Sequence, residues 1–473
     1  MVEEKLAFAS AYEVRELVSS GKVSPVELTQ LFFDRIERLD SQLNAYLTLN
    51  YDEAMQRARE AEAAVARGDE LGPLHGVPIS IKDLELTKGI RTTSGSLHFK
   101  DRVPDEDSVV VERVRKAGAI ILGKTNTPEF GHKGTTENLL GDACRNPWNT
   151  ERTPGGSSGG AAAALAAGLC SLATGSDGGG SIRIPASFCG LYGIKPTQGR
   201  VPRYGGAAAP ILANQTSQSG PLSRTVRDSA LLLQVLAGYD SRDPGSIRDA
   251  PPDFLAALRK GVSGLKVGWS SDYGFAPVDP EVVDVCYRAA KVFEELGCSV
   301  EETDLVLDAP TEPFKIIFSV NTYAAMGPVV DEFEHELTDY FMDNMRFAKT
   351  VTASDYVRAV GYIDRLKAQF ADQFQRYDLI LSPTMAVPPF PVGDNPTHIA
   401  GREVDPFTGF LPFTFPINMN GHTAASIPAG FSSDGLPIGL HIVGRWGDEE
   451  TVFAASAAFE EARPWADKRP AVS

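Results

Sequence analysis

The sequence predicts an α/β fold in which helices cover a largely buried β-sheet. Short apolar segments with strand character alternate with segments of helical periodicity along most of the chain. The composition, with 42% hydrophobic and 23% charged residues, is ordinary for a globular protein. Neither an internal repeat nor a disordered linker divides the sequence. We therefore expect residues 1–473 to form a single large domain.

The predicted elements follow one another in a regular order. In the N-terminal half we expect helices over 12–39 and 51–67, a strand over 76–83, a helix over 108–117, a strand over 119–122 and an Ala-rich helix over 161–172. In the C-terminal half we expect a strand over 264–270, a helix over 280–296, a strand over 299–303, helices between 314 and 374, and strands over 377–384 and 435–445. The Pro/Gly-rich stretch 383–409 is expected to be a long surface loop.

Charge and cysteine content exclude several classes of protein. The formal net charge is −17, whereas nucleic-acid binding needs clustered Lys and Arg, so we expect no nucleic-acid partner. The five cysteines are scattered and lack a CxxC motif, which predicts reduced, packed side chains rather than disulfides or a zinc site. The N-terminus lacks the pattern of a signal peptide, and no segment is apolar enough to span a membrane. These features predict a cytoplasmic protein without a membrane partner.

Residues 152–186, "RTPGGSSGGAAAALAAGLCSLATGSDGGGSIRIPA", place Gly/Ser turns at both ends of an Ala-rich segment. A flexible linker is excluded by the middle of the stretch, because its Ala, Leu and Gly residues are typical of a tightly packed helix. We expect the two turns to present Ser157 and Ser181, with the helix between them setting their separation.

Two short motifs in this half of the chain have competing interpretations. "GAIILGKT" (118–125) matches the phosphate-binding pattern G-x-x-x-x-G-K-[ST], but its "AIIL" is typical of a strand where a phosphate-binding loop is required. "GGSSG" (155–159) matches the nucleophile elbow G-x-S-x-G, which would make Ser157 the nucleophile, yet turn residues precede it instead of a strand. None of the seven histidines has metal-ligand spacing. A nucleotide hydrolase and an α/β-hydrolase are therefore less favoured alternatives.

A third interpretation uses a lysine as the base. "SIKD" places Lys82 at the end of an apolar strand, where its stem would be buried. A lysine that burial keeps neutral can take a proton from a hydroxyl, which is the basis of Ser–Lys hydrolases. Lys82, Ser157 and Ser181 together provide the groups that this chemistry requires.

"GGSSGG", the Ala-rich helix and "GSDGGGSIRIPA" at this spacing resemble the amidase signature family. The resemblance covers "GPLHGVPISIKD" through "GLYGIKPTQGR", about residues 72–200, and continues more loosely through "YDLILSPT" and "AASIPAGFSSDGLPIGLHIVGR". It implies a central mixed sheet covered by helices on both faces. It also implies a catalytic unit in which Ser181 is the nucleophile, Ser157, preceded by a cis peptide bond, is the bridging residue, and Lys82 is the base.

The resemblance assigns further roles around this unit. The backbone N–H groups of Gly178, Gly179, Gly180 and Ser181 would form the oxyanion hole, where Gly lets a carbonyl approach the main chain closely. Three further residues would have a structural role at the site. These are Ser158 and the two residues of an ion pair that points inward, Asp177 and Arg183. A solvated pair is the alternative for these two charges.

The substrate is less well defined than the reaction. The resemblance places Ile363 and Leu411 where glutamine-hydrolysing members carry an Arg and an Asp, although Arg365 lies nearby. Phe407, Phe410, Leu411, Phe413 and Phe415 predict an apolar wall, with plain core packing as the alternative, and residues 313–330 are a further candidate wall. The candidate substrate-binding residues are Ile363, Leu411 and Phe413.

The expected activity is hydrolysis of apolar or aryl amides, with esterase and possible carbamate (urethane) hydrolase activity. The alternatives are the glutamine-hydrolysing subunit of a tRNA amidotransferase complex and a nylon-oligomer hydrolase. No metal and no organic cofactor are expected, and the chain is expected to be a monomer or a homodimer.

Overall fold

The computed structural model describes residues 2–205 and 216–473. Its strands are β1 (Tyr46–Leu49), β2 (Pro78–Lys82), β3 (Ile120–Thr125), β4 (Leu172–Asp177), β5 (Tyr192–Lys195), β6 (Gln218–Ser223), β7 (Lys266–Trp269), β8 (Ser299–Glu302), β9 (Leu379–Pro383), β10 (His398–Ile399), β11 (Arg402–Glu403), β12 (Ala424–Phe431) and β13 (Pro437–Gly444). Its helices are α1 (Val2–Ala7), α2 (Ala11–Ser19), α3 (Pro25–Leu39), α4 (Tyr51–Arg67), α5 (Val109–Lys116), α6 (Gly159–Ala166), α7 (Arg183–Cys189), α8 (Val226–Leu236), α9 (Phe254–Ala257), α10 (Pro280–Glu295), α11 (Thr311–Glu332), α12 (Asp339–Thr350), α13 (Ala353–Arg376), α14 (Phe415–Asn420) and α15 (Glu449–Ala462).

One mixed sheet organises the molecule. Its strand order is β1-β3-β2-β4-β6-β5-β12-β13-β9-β7-β8, while β10 and β11 form a separate two-stranded sheet. Pairing is parallel between β2 and both β3 and β4, and between β7 and both β8 and β9. In the middle of the sheet, neighbouring strands pair antiparallel along the order β4-β6-β5-β12-β13-β9. With helices flanking this sheet, the predicted α/β class with a mixed sheet is confirmed.

Several predicted element boundaries were wrong for identifiable reasons. The single helix expected over 12–39 is two helices, because Gly21 turns with a positive φ of 68° and Ser24 caps a new helix that begins with a proline. The Ala-rich helix ends at Ala166, and the chain then forms strand β4. The separation of Ser157 and Ser181 is therefore set by a helix followed by a strand, and not by a helix alone.

Other predictions agree with the structure. "GAIILGKT" lies on strand β3, where Lys124 is buried and donates to the Glu85 carbonyl and the Thr87 and Thr92 hydroxyls, so it does not form a phosphate-binding loop. The five cysteines are all free and buried, as expected. Within residues 2–205 and 216–473, no helix is both long and apolar enough to cross a membrane.

Helix α6 is buried on every side, and this burial explains its composition. All eight of its residues are buried. A Cβ on Gly160 would clash with the backbone of Asn126 and with the carbonyl of Ala45. Because the surrounding backbone cannot give way cheaply, the helix can pack here only with a glycine at position 160.

We expect Gly160→Ala to destabilise the protein by about 1–3 kcal/mol through overpacking. Gly361 is the matched control, since it also lies in a helix, α13, but has no atom within 4 Å of an added Cβ. Gly361→Ala should be neutral or should stabilise by up to about 1 kcal/mol through better helix propensity. Denaturant unfolding of both variants checks this, and equal effects would contradict the packing explanation.

Candidate active site

The candidate site lies where two parallel strands end side by side. Strands β2 and β4 are parallel neighbours, and they end at Lys82 and Asp177. The backbone N–H of Lys82 donates to the hydroxyl of Thr174 on β4 at 3.1 Å. In open α/β sheets, functional groups collect at the carboxyl ends of parallel strands. Helix α6 starts at Gly159, directly after the two serines of the "GGSSGG" turn.

The Lys82 ammonium nitrogen is fully buried among hydroxyls. Its Nζ lies 2.8 Å from Ser157 Oγ, 2.8 Å from Ser158 Oγ and 3.3 Å from the carbonyl oxygen of Ser176. Burial lowers the pKa of Lys82 to about 7, although the carboxylates of Asp177 and Glu85 act in the opposite direction. Near neutral pH this lysine is therefore able to take up a proton from a neighbouring hydroxyl.

The serine turn is closely held by its surroundings. The Gly156–Ser157 peptide bond is cis, and a Cβ on Gly156 would clash with the backbone of Thr135. The backbone N–H of Ser158 donates to the carbonyl of Ser181 at 3.2 Å. This hydrogen bond joins the two Gly/Ser turns, which are far apart in the sequence, in one site.

The glycine loop before Ser181 presents several backbone N–H groups. Among residues 2–205 and 216–473, the N–H groups of Gly178, Gly179 and Ser181 have no hydrogen-bond acceptor. The N–H of Gly180 differs, because it donates to Asp177 Oδ1 at 2.7 Å. Gly180 has a φ of 129°, and a Cβ there would clash with Thr414 Oγ1. Three of the four predicted oxyanion donors therefore have no acceptor within the part of the chain that the structure describes, and the fourth donates to Asp177.

Asp177 and Arg183 form a fully buried ion pair, as the resemblance implied. Arg183 donates to both carboxylate oxygens at 2.9 Å, and Asn418 Nδ2 donates to Oδ1 at 2.8 Å. Burial alone would raise the pKa of Asp177, but Arg183 and these hydrogen bonds outweigh it and hold the pKa well below its usual value. Arg183 also contacts His441 Nε2 at 2.9 Å. Burial and the Arg183 charge lower the pKa of His441, so its neutral ring accepts this bond.

A cavity of about 780 Å³ opens onto the serines. Ser157, Ser181 and Gly178 lie on its wall. Ser181 is 8% exposed and Ser157 is 2% exposed, so both are almost enclosed. Among the described residues, the charged side chains on the wall are those of Glu85, Arg102, Arg203 and Asp243. The cavity therefore combines two serines at one end with a polar, charged wall.

A second, much smaller cavity also meets Ser181. It measures about 30 Å³. Its apolar wall consists of Ile184, Phe314, Phe318, Phe407 and Leu411. Phe314 stacks on Phe318 at 5.2 Å and on Phe415 at 4.8 Å, so these rings support one another. Residues from the predicted walls at 313–330 and 407–411 thus come together beside Ser181.

The three candidate substrate-binding residues do not lie together. Leu411 lines the small cavity. Phe413 is fully buried and packs edge-on against Tyr273 at 5.2 Å, and it lines neither cavity at Ser181. Ile363 lies on α13, packs against the main core and also lines neither cavity. Arg365 lines a separate cleft together with Tyr362, so it does not provide a cation at this site.

Sequence reasoning missed His132, which lines both cavities. The Thr322 hydroxyl donates to the carbonyl of Phe318 at 2.9 Å, so the 3.0 Å contact between Thr322 and His132 Nε2 is donated by the imidazole. Burial lowers the pKa of His132 to about 3, which keeps the ring neutral. A lone histidine without a motif gave no signal for this position. No group of His, Cys, Asp or Glu within the described ranges is arranged to hold a metal ion.

Comparisons with known proteins give a consistent result. The family model described as Amidase matches residues 27–453. An acylamidase of Rhodococcus erythropolis is 39% identical over all of this chain and 99% of its own length. A glutamyl-tRNA(Gln) amidotransferase subunit from Moorella thermoacetica is 39% identical over 98% of this chain and 99% of its own. Both relatives are similar to this chain over nearly its full length.

Solved structures show the same similarity. A bacterial aryl acylamidase of the amidase signature family superposes with a TM-score of 0.92 at 37% identity, covering 97% of each chain. A 6-aminohexanoate cyclic dimer hydrolase superposes with a TM-score of 0.89 at 31% identity, covering 98% of this chain and 99% of its own.

We expect Arg183→Met to destabilise the protein by about 3–5 kcal/mol, because it leaves the Asp177 carboxylate buried and without its counter-ion. Arg346→Met is the matched control, since Arg346 pairs with Glu334 where both side chains are more than half exposed. Exposed pairs contribute little, so the control should unfold like the wild type. Denaturant unfolding with a common probe measures both, and similar midpoints would contradict the role given to the buried pair.

Proposed function

The chain belongs to the amidase signature family, and we propose that it hydrolyses apolar or aryl amides through an acyl-enzyme, with activity on esters and carbamates. Amide hydrolysis as a class follows from the family. The observation that carries the proposed mechanism is the position of Lys82 Nζ, 2.8 Å from Ser157 Oγ and fully buried. Ser157 in turn shares the wall of one cavity with Ser181.

Acylation begins with neutral Lys82, which accepts the proton of Ser157 as Ser157 accepts that of Ser181. Ser181 Oγ forms a bond to the acyl carbon, and the C–N bond then breaks. The proton released by Ser181 reaches the departing nitrogen through Ser157. Water later repeats the attack on the ester, and the same relay returns a proton to Ser181 Oγ as the acid is released.

Charge that develops on the carbonyl oxygen needs hydrogen-bond donors that are already in place. The N–H groups of Gly178, Gly179 and Ser181 are the donors we assign to it, because they have no acceptor within the described residues. Loss of one such donor typically slows turnover by about 100-fold or more. The N–H of Gly180 instead donates to Asp177 Oδ1, and this hydrogen bond stabilises the conformation of the loop.

The walls of the small cavity support apolar substrates. Phe318, Phe407 and Leu411 are uncharged, and the charged side chain that also lines this cavity, Lys133, is paired with Glu137 at 2.9 Å. The similarity to an acylamidase and an aryl acylamidase points in the same direction. Esters and carbamates present the same carbonyl carbon to Ser181, with leaving groups that the same relay can protonate. We therefore include both in the proposed scope.

Glutamine hydrolysis within an amidotransferase complex is the second candidate, because relatives with that name are equally similar in sequence. A free glutamine needs groups that pair with its α-carboxylate and α-amine. Of the two positions where this pairing was expected, Leu411 lines a cavity at Ser181, and it carries no charge. This observation favours apolar amides over glutamine as the substrate.

We expect the purified protein to release the arylamine from an equimolar mixture of a small aryl amide and the matching aryl carbamate, measured by liquid chromatography. Ser181→Ala should release the arylamine at least about 1,000-fold more slowly, because it lacks the nucleophile. The thermal unfolding of the variant serves as the control for its fold. Unchanged product release by Ser181→Ala would contradict the assignment. Glutaminase activity with no release of arylamine would instead favour the amidotransferase role.

We expect kcat/KM to rise with pH through a midpoint near 7, because Lys82 must be neutral to act as the base and its pKa is lowered to about 7. Activity is therefore lost as the pH falls below 7 and the ammonium forms. Lys195 is the matched control, since burial lowers its pKa to about 7 as well. Lys195→Met should keep the midpoint, whereas Lys82→Met should lose about 100-fold or more of the activity. If the midpoint near pH 7 disappeared in Lys195→Met while Lys82→Met kept it, Lys82 would not be the base.

A further inference from the structure

We propose that Ser181 lies between two subsites of unequal size, so that the enzyme takes substrates with a short apolar acyl group and a large amine or alcohol. The acyl group would occupy the small cavity lined by Phe318, Phe407 and Leu411. The leaving group would occupy the large cavity that also contains Ser157. The inference rests on the proposed function and defines its substrate class.

The two cavities differ in which reacting groups they contact. Ser181 lines both of them. Among the described residues, Ser157 lines the large cavity and is absent from the wall of the small one. Gly179, whose N–H has no acceptor within residues 2–205 and 216–473, lines the small cavity, and Gly178 lines the large one. A carbonyl bound at Ser181 would therefore lie at the junction, with one substituent in each cavity.

The path of the proton decides which substituent goes where. When the Ser181 Oγ–carbon bond forms and the C–N bond breaks, the departing nitrogen must accept the proton that Ser181 released. That proton travels through Ser157, so the nitrogen must lie within hydrogen-bond reach of Ser157. Of the two cavities at Ser181, the large one brings a ligand to Ser157. The acyl substituent is then directed into the small cavity.

The size of each cavity sets the limit on its substituent. The small cavity holds about 30 Å³ and the large one about 780 Å³. Two wall residues of the small cavity, Phe314 and Phe318, stack on one another, and Phe415 stacks on Phe314 from outside the wall. Such close-packed walls resist expansion. An acetyl or propionyl group fits this description, whereas a long acyl chain would force the rings apart.

The charges on the cavity walls indicate which polar groups each part of a substrate can carry. The glutamyl group, with its carboxylate and amine, would have to lie against Phe318 and Leu411, where burial of an unpaired charge is costly. Lys133 also lines this cavity, but its charge is already paired with Glu137. The large cavity, with Glu85 and Arg102 on its wall, tolerates polar substituents on the leaving group. For a carbamate cleaved at its C–N bond, the group retained on Ser181 is the alkoxycarbonyl, so short alkoxy groups are preferred.

The test is an acyl series on one arylamine, 4-nitroaniline, carrying acetyl, propionyl, butyryl and hexanoyl groups. For the wild type we expect kcat/KM to fall by about tenfold or more between propionyl and hexanoyl. An acetyl series with larger arylamines, from aniline to 4,4′-methylenedianiline, should show no comparable fall. A rate that is flat or rises with acyl length would overturn the proposed orientation. Absence of hydrolysis for every compound would overturn the proposed function and this inference with it.

Leu411→Ala enlarges the small cavity and should raise the ratio of hexanoyl to acetyl kcat/KM by about tenfold. Leu436→Ala is the matched control, because Leu436 is buried to a similar degree, 3% against 5% exposed, and lines neither cavity. The control should keep the wild-type ratio even if it is less stable. The same change of ratio in both variants would overturn the assignment of the acyl group to the small cavity.

Discussion

The site depends on which groups pair with one buried carboxylate, that of Asp177. Parallel pairing of β2 and β4 brings Lys82 close to Asp177, and a lysine beside a free carboxylate would stay charged. Arg183 occupies both oxygens of that carboxylate at 2.9 Å. The nearest partners of Lys82 Nζ are then the Ser157 and Ser158 hydroxyls and a backbone carbonyl, and desolvation dominates its pKa. Beside this ion pair, burial is the largest influence on the pKa of Lys82 and lowers it.

The same carboxylate also shapes the glycine loop. Asp177 accepts hydrogen bonds from the N–H groups of Gly180 and Ile182, at 2.7 and 3.2 Å. These bonds fold the chain around Ser181, and the Ser158 N–H holds the carbonyl of Ser181 from the other turn. One buried charge thus lies beside Lys82 and also fixes the backbone of the loop that precedes Ser181. Fixed groups of this kind require little reorganisation when charge develops in a reaction.

The strongly patterned parts of the molecule could be predicted from the sequence. The α/β class and the burial of Lys82 followed from apolar periodicity, since a lysine that ends a buried strand has no route to solvent. The walls of the substrate cavities could not be predicted in the same way. Leu411 and Phe413 are close together in an apolar stretch, yet of these two only Leu411 faces Ser181. Which side of such a stretch faces a cavity is decided by tertiary packing, as the position of His132 also illustrates.

Part of the wall of the small cavity comes from α11 and from residues 407–411, far along the chain from Lys82, Ser157 and Ser181. Helix α6, which lies between Ser157 and Ser181 in the chain, has no space for a side chain at Gly160. Substitution is therefore restricted by packing in this segment, whereas the distant wall segments lie outside the proposed proton relay. A combinatorial library confined to the distant segments would explore new substrates while keeping the reaction intact.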